Sequence, residues 1–333
     1  MRVLVTGGAG YVGSVSVERL LEAGHEVVVL DDLSTGHREA VPTTASIEVA
    51  SYGDPESIAR LLERAQVDAI LHCAARSLVA ESVRDPARYY RDNVGGGITL
   101  LEAARQAGVG RIVFSSTAAV YGIPDATPIP ETAPLRPINA YGETKRTFEG
   151  ALRFYGEAYG LRSASLRYFN VAGATERNGE LHDPETHLIP NLLRAAETGE
   201  PVTLFGDDYP TSDGTCVRDY IHVADLADAH LTALEATAPD DPRSTAALVC
   251  NLGIGKGFSV REVVDAAAAV VGRAIPVTRG PRRPGDPPVL VAAPDRARDV
   301  LGWTAARPTL EEMIGSAWLW RQTHLDGSGA RLG

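Results

Sequence analysis

The feature that most constrains the fold is a glycine-rich turn close to the start of the chain. A short apolar run, RVLVT, leads into GGAGYVGS, which places Gly7, Gly10 and Gly13 in the spacing G-x-x-G-x-x-G. Glycines in this spacing, between a strand and a helix, permit a tight turn, close approach of the backbone to a pyrophosphate, and close packing of helix on strand. The first residues of that helix, Tyr11 and Val12, lie where a negative charge is stabilised. The turn therefore predicts a dinucleotide-binding unit.

An acidic residue follows the second apolar run, HEVVVLDD, in the region about 20 residues after the glycines where a carboxylate meets a ribose. Asp31 can accept hydrogen bonds from an adenosine ribose and repels a 2′-phosphate, which favours NAD over NADP. Asp32 and Ser34, at the same strand end, are also predicted to contact the cofactor. Asp54, in SYGDPE, is a weaker candidate for the adenine, since turn formation explains it nearly as well. The small residues that end the fourth predicted strand can let backbone lie against the cofactor: Cys73, Ala74 and Ala75.

The first 170 residues alternate short apolar runs with segments of helical periodicity. Runs such as DAILHCAA and RIVFSS are mostly apolar, as expected of strands that helices cover on both faces. This alternation predicts an α/β fold with a doubly wound, parallel, Rossmann-like sheet over residues 1–170. After about residue 171 the loops lengthen and the strands shorten. We expect residues 171–333 to form a smaller α/β lobe for the substrate, with some segments returning to the first domain.

Composition excludes several classes of function. Acidic residues outnumber Lys and Arg by 43 to 32, which gives a net charge of −11 and argues against a nucleic-acid partner. The three cysteines have no close spacing, so we expect neither a disulfide framework nor a metal site. The two in apolar runs, Cys73 and Cys250, are expected to be buried. Without a long apolar run or a signal peptide in view, the sequence predicts a cytoplasmic protein that does not enter membranes.

A tyrosine and a lysine stand four residues apart at the start of a predicted helix, in the segment YGETK. Tyr141 and Lys145 therefore lie on one helix face. Taken alone, such a pair is more often a solvated helix face. Beside NAD it acquires a mechanism, because the lysine ammonium and the positive nicotinamide both favour the phenolate of Tyr141, which can then act as a general base near neutral pH.

Five segments together resemble the extended short-chain dehydrogenases/reductases and, more narrowly, the UDP-glucose 4-epimerases: TGGAGYVG, FSSTAAVYG, YGETK, LRYFN and GTCVRDYIHVADLADAH. The resemblance extends from Met1 to about residue 320, and its most specific block is FGDDYPTSDGTCVRDYIHVADLA. It implies that Tyr141 and Lys145 are catalytic, with Thr117 as a hydroxyl that bonds both the sugar O4 and the phenol. It also implies NAD as cofactor, a UDP-sugar as substrate and a homodimer.

The resemblance assigns further residues to the two ligands. The additional cofactor contacts that it implies are Asn93, Ser115, Tyr168 and Phe169. The substrate contacts that it implies, besides Thr117, are Asn170, His187, Leu188, Phe205, Arg218, Tyr220, Arg283, Asp286 and Leu290. Arg218 and Arg283 can neutralise the diphosphate through charge-assisted hydrogen bonds. Asp286 can accept from the ribose hydroxyls, and Phe205 can contact the uracil.

The reaction that the resemblance implies is the interconversion of UDP-glucose and UDP-galactose. C4 is oxidised to a ketone, the 4-keto sugar turns over in the site, and reduction on its other face regenerates NAD. Three positions depart from the family pattern. His187 replaces an asparagine found in many members, and Ser77 replaces a lysine that supports the cofactor phosphates in some. Leu290 replaces a bulky tyrosine, which leaves volume for an acetamido group, so UDP-GlcNAc and UDP-GalNAc are expected further substrates.

Three other functions are alternatives to this one. A 4,6-dehydratase carries Asp-Glu after the threonine, where this chain has Ala118 and Ala119. A UDP-glucuronate 4-epimerase or decarboxylase stays open, although STAAVYG offers no charged contact for a carboxylate. The non-enzyme alternative is an NAD-sensing binding protein. Such proteins typically lose the tyrosine or the lysine, whereas this chain retains Tyr141, Lys145 and Thr117.

Overall fold

The structure, a computed structural model, describes residues 1–283 and 285–325. The strands within this part of the chain are β1 (Arg2–Thr6), β2 (Glu26–Asp31), β3 (Ser46–Val49), β4 (Ala69–His72), β5 (Arg111–Thr117), β6 (Arg162–Tyr168), β7 (Asn170–Ala172), β8 (Val202–Phe205), β9 (Val217–His222), β10 (Ala247–Leu252), β11 (Gly257–Ser259), β12 (Val277–Gly280) and β13 (Val289–Leu290). The helices are α1 (Tyr11–Glu22), α2 (Pro55–Ala65), α3 (Val79–Arg84), α4 (Pro86–Tyr89), α5 (Gly96–Gln106), α6 (Ala140–Tyr159), α7 (Leu188–Thr198), α8 (Val223–Ala236), α9 (Val260–Val271) and α10 (Leu310–His324). None of these described helices is long and apolar enough to cross a membrane.

Seven strands form one parallel sheet in the order β10-β6-β5-β4-β1-β2-β3. Consecutive residues of β1, Val3 to Val5, are fully buried, because helices cover both faces of the sheet. The predicted α/β fold with a doubly wound parallel sheet is confirmed. The chain order reverses beside β1, between β2 on one side and β4 on the other. In such sheets a ligand binds at this reversal, beyond the carboxyl ends of the strands.

The residues after 169 form two smaller sheets and a second apolar core. In one sheet β9 lies between β11 and β13 and also pairs with β7, while β8 and β12 form a parallel pair. Leu193 of α7, Val263 of α9 and Met313 of α10 pack together in a core that belongs to these elements. However, β10 lies in the main sheet beside β6. The domain boundary at residue 170 stays a prediction.

Packing accounts for two glycines of the run at residues 95–97. A π-helical turn over Tyr90–Gly95 leads directly into α5. A Cβ on Gly97 would lie 2.5 Å from the ring of Phe148, and one on Gly96 would lie 2.9 Å from the ring of Tyr52. Gly97 therefore lets α5 approach α6 closely, and Gly96 lets it approach the segment before α2. The contact with α6 helps to fix the helix that begins with the YGETK segment.

Candidate active site

The YGETK segment opens α6 beside the carboxyl end of β5. The side chain of Asn139 caps the helix by accepting a hydrogen bond from the N–H of Gly142 at 2.8 Å. On the next turn, the buried Nζ of Lys145 donates to the carbonyl oxygen of Ser115 at 2.7 Å. The same Nζ lies 5.9 Å from the centre of the Tyr141 ring. The lysine is therefore held against β5 with its charge next to the phenol.

Thr117 completes this group, and we call Thr117, Tyr141 and Lys145 together the Tyr–Lys corner. Burial raises the pKa of the Tyr141 phenol, and a hydrogen bond with the Thr117 hydroxyl only partly opposes this. Burial also lowers the pKa of Lys145 to about 8, although Cys73 and Glu149 act in the opposite direction. Within the protein alone, burial outweighs the effect of the neighbouring groups on the phenol. A phenolate therefore needs further positive charge, which a bound nicotinamide would supply.

A buried polar network supports the corner, and sequence reasoning missed it. Glu149, one turn beyond Lys145, accepts a hydrogen bond from Ser116 Oγ at 2.5 Å and pairs with Arg167 at 2.6 Å. The side chains of Arg167 and Glu149 are only 5% and 7% exposed. Arg167 also donates to the Tyr121 hydroxyl at 2.9 Å. The helical spacing of Glu149 was a usable signal, but nothing local identified Arg167 on β6 as its partner.

The glycine-rich turn has the shape that a pyrophosphate requires. Gly7 adopts φ +71°, and a Cβ there would lie 2.6 Å from the Ala74 nitrogen. A Cβ on Gly13 would lie 2.0 Å from the carbonyl oxygen of Gly7. Helix α1 begins after Gly10 without a side-chain cap, so its first N–H groups, from Tyr11 onward, are aimed at the turn. These residues fit the phosphates of a dinucleotide.

Asp31 ends β2 and holds the glycine-rich turn in place. Its carboxylate accepts hydrogen bonds from the N–H groups of Ala9 and Leu33, each at 2.9 Å. Burial raises its pKa although both bonds lower it. The exposed Asp32 accepts from the N–H of Ser34 at 2.9 Å. The carboxylates thus lie at the predicted strand end, and their contact with a ribose stays a prediction.

Two other predicted cofactor residues have roles within the protein itself. Asp54 caps α2 and accepts a hydrogen bond from the Ser57 hydroxyl at 2.5 Å, which accounts for it without a ligand. The buried amide of Asn93 accepts from the N–H of Arg76 at 2.8 Å and donates to the Thr144 hydroxyl at 3.1 Å. It therefore ties the loop after β4 to α6. Ser77, the departure noted in that loop, is exposed.

The carboxyl ends of β4, β5 and β6 lie next to α8. Ser115 Oγ donates to Cys73 Sγ at 3.3 Å and lies 2.8 Å from Nε2 of His230, a buried residue of α8. The ring of Tyr168 is 6.3 Å from that imidazole. Burial, Tyr141 and Cys73 raise the pKa of Tyr168 well above its usual value. The expectation that Cys73 is buried was wrong, because this residue follows the end of β4 and is only partly buried. Cys250 is buried as expected.

The residues predicted for UDP cluster on β9, β13 and the turn before β13. Arg218 of β9 forms an ion pair with Asp286, and Leu290 of β13 lies opposite Arg218 in the strand register. The N–H of Asp286 donates to the carbonyl oxygen of Arg283 at 3.2 Å. The Arg283 guanidinium in turn lies 4.2 Å from the ring centre of Phe205. In this structure the residues expected to bind the substrate therefore contact one another.

The remaining predicted substrate residues lie nearby. Asn170 is exposed at the start of β7, where it pairs in register with the buried Tyr220 of β9. Burial raises the pKa of Tyr220 to about 12. Leu290 packs with Phe169 in a small apolar cluster.

His187 and Leu188 lie at the start of α7, as the cap residue and the first helical residue. The imidazole of His187 does not cap the helix and instead lies 2.8 Å from carboxylate oxygens of Glu180 and Glu185. Burial alone would lower the pKa of His187, but these two carboxylates raise it well above its usual value. A contact from this side chain to the substrate stays a prediction.

The sequence and fold match known proteins over nearly their whole length. Residues 3–250 match the NAD dependent epimerase/dehydratase family. The UDP-glucose 4-epimerase of Lacticaseibacillus casei is 48% identical over 334 residues, which is 99% of this chain and 100% of that protein. The crystal structure of UDP-glucose 4-epimerase from Brucella ovis in complex with NAD is 44% identical, with a TM-score of 0.91 over 96% of this chain and 97% of that one. The UDP-Glc/GlcNAc 4-epimerase of Campylobacter jejuni is 37% identical, with a TM-score of 0.84 over 96% and 98% of the two chains. The chain belongs to the NAD dependent epimerase/dehydratase family and, within it, to the UDP-glucose 4-epimerases.

Proposed function

We propose that this protein interconverts UDP-glucose and UDP-galactose with NAD as its cofactor. The observation that carries the proposal is the grouping of Thr117, Tyr141 and Lys145 at the end of β5, in the same sheet edge as a glycine-rich turn that fits a dinucleotide. Similarity to UDP-glucose 4-epimerases over the whole chain supports it.

The proton chemistry follows from the Tyr–Lys corner. NAD would be held by the glycine-rich turn and Asp31, and it would supply the redox chemistry: hydride removal from C4 of the sugar and hydride return to the other face of the ketone. Tyr141 takes the proton of the C4 hydroxyl and later gives it back. Since burial disfavours the phenolate, the Thr117 hydrogen bond and the Lys145 ammonium are the protein contacts that stabilise it. Below about pH 8 this lysine carries its charge.

The same proposal assigns the UDP moiety to the group around β9 and β13. Arg218 and Arg283 carry the charge that a diphosphate needs, and Phe205 offers an aromatic face, 38% exposed, for the uracil. Firm binding of UDP leaves the hexose free to turn over between the two hydride steps. This is the requirement that separates an epimerase from a simple dehydrogenase.

We also infer that UDP-GlcNAc and UDP-GalNAc are substrates. Leu290 leaves more room than the tyrosine found in members restricted to unmodified hexoses, and the Campylobacter jejuni relative is named for both kinds of substrate. The wild-type protein should interconvert the two N-acetyl sugars. The change Leu290→Tyr should remove that activity and leave conversion of UDP-galactose intact. Wild-type protein that converts UDP-galactose but neither N-acetyl sugar would refute the inference.

A homodimer and a cytoplasmic location belong to the same proposal. Phe154 and Tyr159 on α6 are 56% and 59% exposed, and large apolar side chains on one outer helix fit a subunit contact. Light scattering on purified protein should give the mass of a dimer, and Phe154→Glu should shift it towards the monomer. A monomeric wild-type protein at micromolar concentration would contradict this part. The cytoplasmic location rests on the cofactor and substrate, which are intracellular metabolites.

Proton NMR of purified protein with UDP-galactose tests the main proposal. The expected result is UDP-glucose, at one equilibrium ratio that is reached from either sugar. A product from UDP-glucuronate alone would favour the glucuronate epimerase or decarboxylase, and loss of the C6 hydroxyl would favour a dehydratase. Bound NAD without turnover of any UDP-sugar would leave the NAD-sensing protein as the better description.

A further inference from the structure

A cluster of two histidines and two glutamates lies outside the Tyr–Lys corner, in the loop between β7 and α7. Its members are Glu180, His182, Glu185 and His187, which we call the His–Glu cluster. One potential ligand atom from each residue lies within 4.8 Å of all the others. We propose that the His–Glu cluster binds a zinc ion. The expectation of no metal site rested on the cysteines alone and did not consider these residues.

The four side chains lie close enough together to share one metal ion. His187 Nδ1 lies 2.8 Å from oxygens of both glutamates, and His182 Nδ1 lies 3.3 Å from the Glu180 oxygen and 4.0 Å from one of Glu185. In a tetrahedral site with bonds of about 2.0–2.2 Å, neighbouring ligand atoms are about 3.3 Å apart. The observed distances lie on both sides of this value. Imidazole nitrogen and carboxylate oxygen are also ligands that zinc uses.

One atom of the cluster lacks a partner that zinc would provide. His182 Nδ1 is buried and makes no hydrogen bond of good geometry; its nearest partner is a Glu180 oxygen at 3.3 Å, and the side chain as a whole is 27% exposed. Buried polar atoms are nearly always hydrogen-bonded. The side chains of Glu180 and Glu185 are only 8% and 10% exposed, so two carboxylates are largely removed from water at this point. A divalent cation would satisfy the imidazole and balance both carboxylates.

An ion-pair network without metal accounts for only part of the cluster. The N–H groups of Thr186 and His187 both donate to the Glu185 carboxylate at 2.7 Å, which fixes its position. A protonated His187 can then pair with Glu180. This arrangement still leaves His182 Nδ1 buried beside a carboxylate without a hydrogen bond of good geometry. Zinc accounts for all four side chains at once.

The position of the cluster suggests what the metal does. Tyr11, in the first turn of α1, donates from its hydroxyl to the carbonyl oxygen of Gly173 at 2.6 Å, where the loop begins. Burial raises the pKa of Tyr11, and the charges of Glu180 and Glu185 raise it further, so both carboxylates act electrostatically on a side chain at the start of α1. Negative charge opposes a pyrophosphate there. Zinc would remove that charge and tie the loop to the start of α7. The metal is therefore structural and electrostatic rather than a participant in the reaction.

Zinc content and affinity test the proposal directly. Tag-free, full-length protein is loaded with zinc, desalted and measured by mass spectrometry of the metal, and a chromophoric chelator gives the affinity. The expected result is a single zinc per chain for wild type and for the control His25→Ala. His182→Ala should bind zinc more than about 100-fold more weakly, because it removes a direct ligand.

Two results would overturn the proposal: no zinc retained by wild type in competition with the chelator, or equal zinc retention by His182→Ala. If His182→Ala does not fold by circular dichroism, Glu180→Gln replaces it, since it keeps the side-chain volume and removes the charge, and the same loss is expected. The measurement involves neither NAD nor a UDP-sugar. Zinc binding can therefore fail while epimerase activity is intact, and the reverse.

Discussion

The Tyr–Lys corner is held differently from the residues proposed to bind UDP, which we call the UDP-binding group: Phe205, Arg218, Arg283 and Asp286. The corner is fixed by the protein itself, since Lys145 is bonded to the backbone of β5 and Glu149 beneath it is paired with Arg167. Around Arg218, the groups proposed for the substrate are occupied by one another, as in the pair with Asp286. Proton transfer requires fixed geometry before the substrate arrives. Binding of UDP can instead exchange one partner for another, which reduces its net affinity.

The largest expected effect comes from removing the hydroxyl in the corner. Tyr141→Phe should lower kcat by about 10²–10⁴-fold, because it removes the hydroxyl proposed to take and return the C4 proton. NAD content should be unchanged. Initial rates by NMR and the NAD released on denaturation measure the two quantities. Tyr155→Phe on the same helix, whose hydroxyl donates to Glu102, is the control and should keep its activity. A Tyr141→Phe protein with more than a tenth of wild-type activity would sink the role of the tyrosine.

The next largest effect is on stability, through the network beneath the corner. Arg167→Met leaves Glu149 buried without its partner, which should lower the free energy of unfolding by about 3–5 kcal/mol. Arg153→Met breaks the pair with Glu157, in which both side chains are 54% exposed, and should cost no more than about 1 kcal/mol. Urea unfolding compares the two. Equal losses would mean that the buried pair does not stabilise the corner.

A change at Arg218 tests the role of the residues proposed to bind UDP. Arg218→Met should raise KM for UDP-galactose about 10–100-fold, which corresponds to the loss of about 1.5–3 kcal/mol from a charge-assisted bond, with kcat nearly unchanged. Arg279→Met, which breaks an exposed pair between β12 and Asp207 just after β8, is the matched control. If kcat falls and KM does not change, Arg218 acts on the chemistry rather than on UDP.

The two regions also differ in how far the sequence predicted them. The glycine-rich turn, the strands of the main sheet and the Tyr–Lys spacing are local patterns, so they could be read from short segments. The pairing of Glu149 with Arg167, and the placement of β10 beside β6, join residues far apart in sequence. Periodicity carries no information on such partners.

The substrate side depended on resemblance for a similar reason. A single arginine in a sequence resembles any surface charge, and only its place in a family block pointed to Arg218. The His–Glu cluster was missed because its residues lie in a loop without periodicity. Its signal was two Glu-x-His units five residues apart in GELHDPETH, which have metal-ligand chemistry.

Acid should lower the free energy of unfolding through His230, which lies beside the Tyr–Lys corner. Burial lowers the pKa of His230 to about 4, and that of an unfolded histidine is about 6.5. Between these values the unfolded chain binds a proton that the folded chain does not, so stability falls as pH falls from 6.5 towards 4. One such group contributes a slope of about 1.4 kcal/mol per pH unit. His230→Gln should reduce the slope of unfolding free energy against pH by about this amount. An unchanged slope would show that another group, such as His222, dominates the acid response.

The smallest expected effect is at the edge of the UDP-binding group. Phe205 is 38% exposed and has the Arg283 guanidinium 4.2 Å from its ring centre. The contact proposed between its ring and the uracil should contribute about 0.5–1 kcal/mol to binding. Phe205→Leu should therefore raise KM for UDP-galactose and the inhibition constant of UDP together, by about 2–5-fold, and leave kcat unchanged. Free UDP is the informative probe, because it lacks the hexose and reports on the nucleotide alone. If KM rose while UDP bound as before, Phe205 would be contacting the sugar, and the assignment of this group to the nucleotide would be wrong.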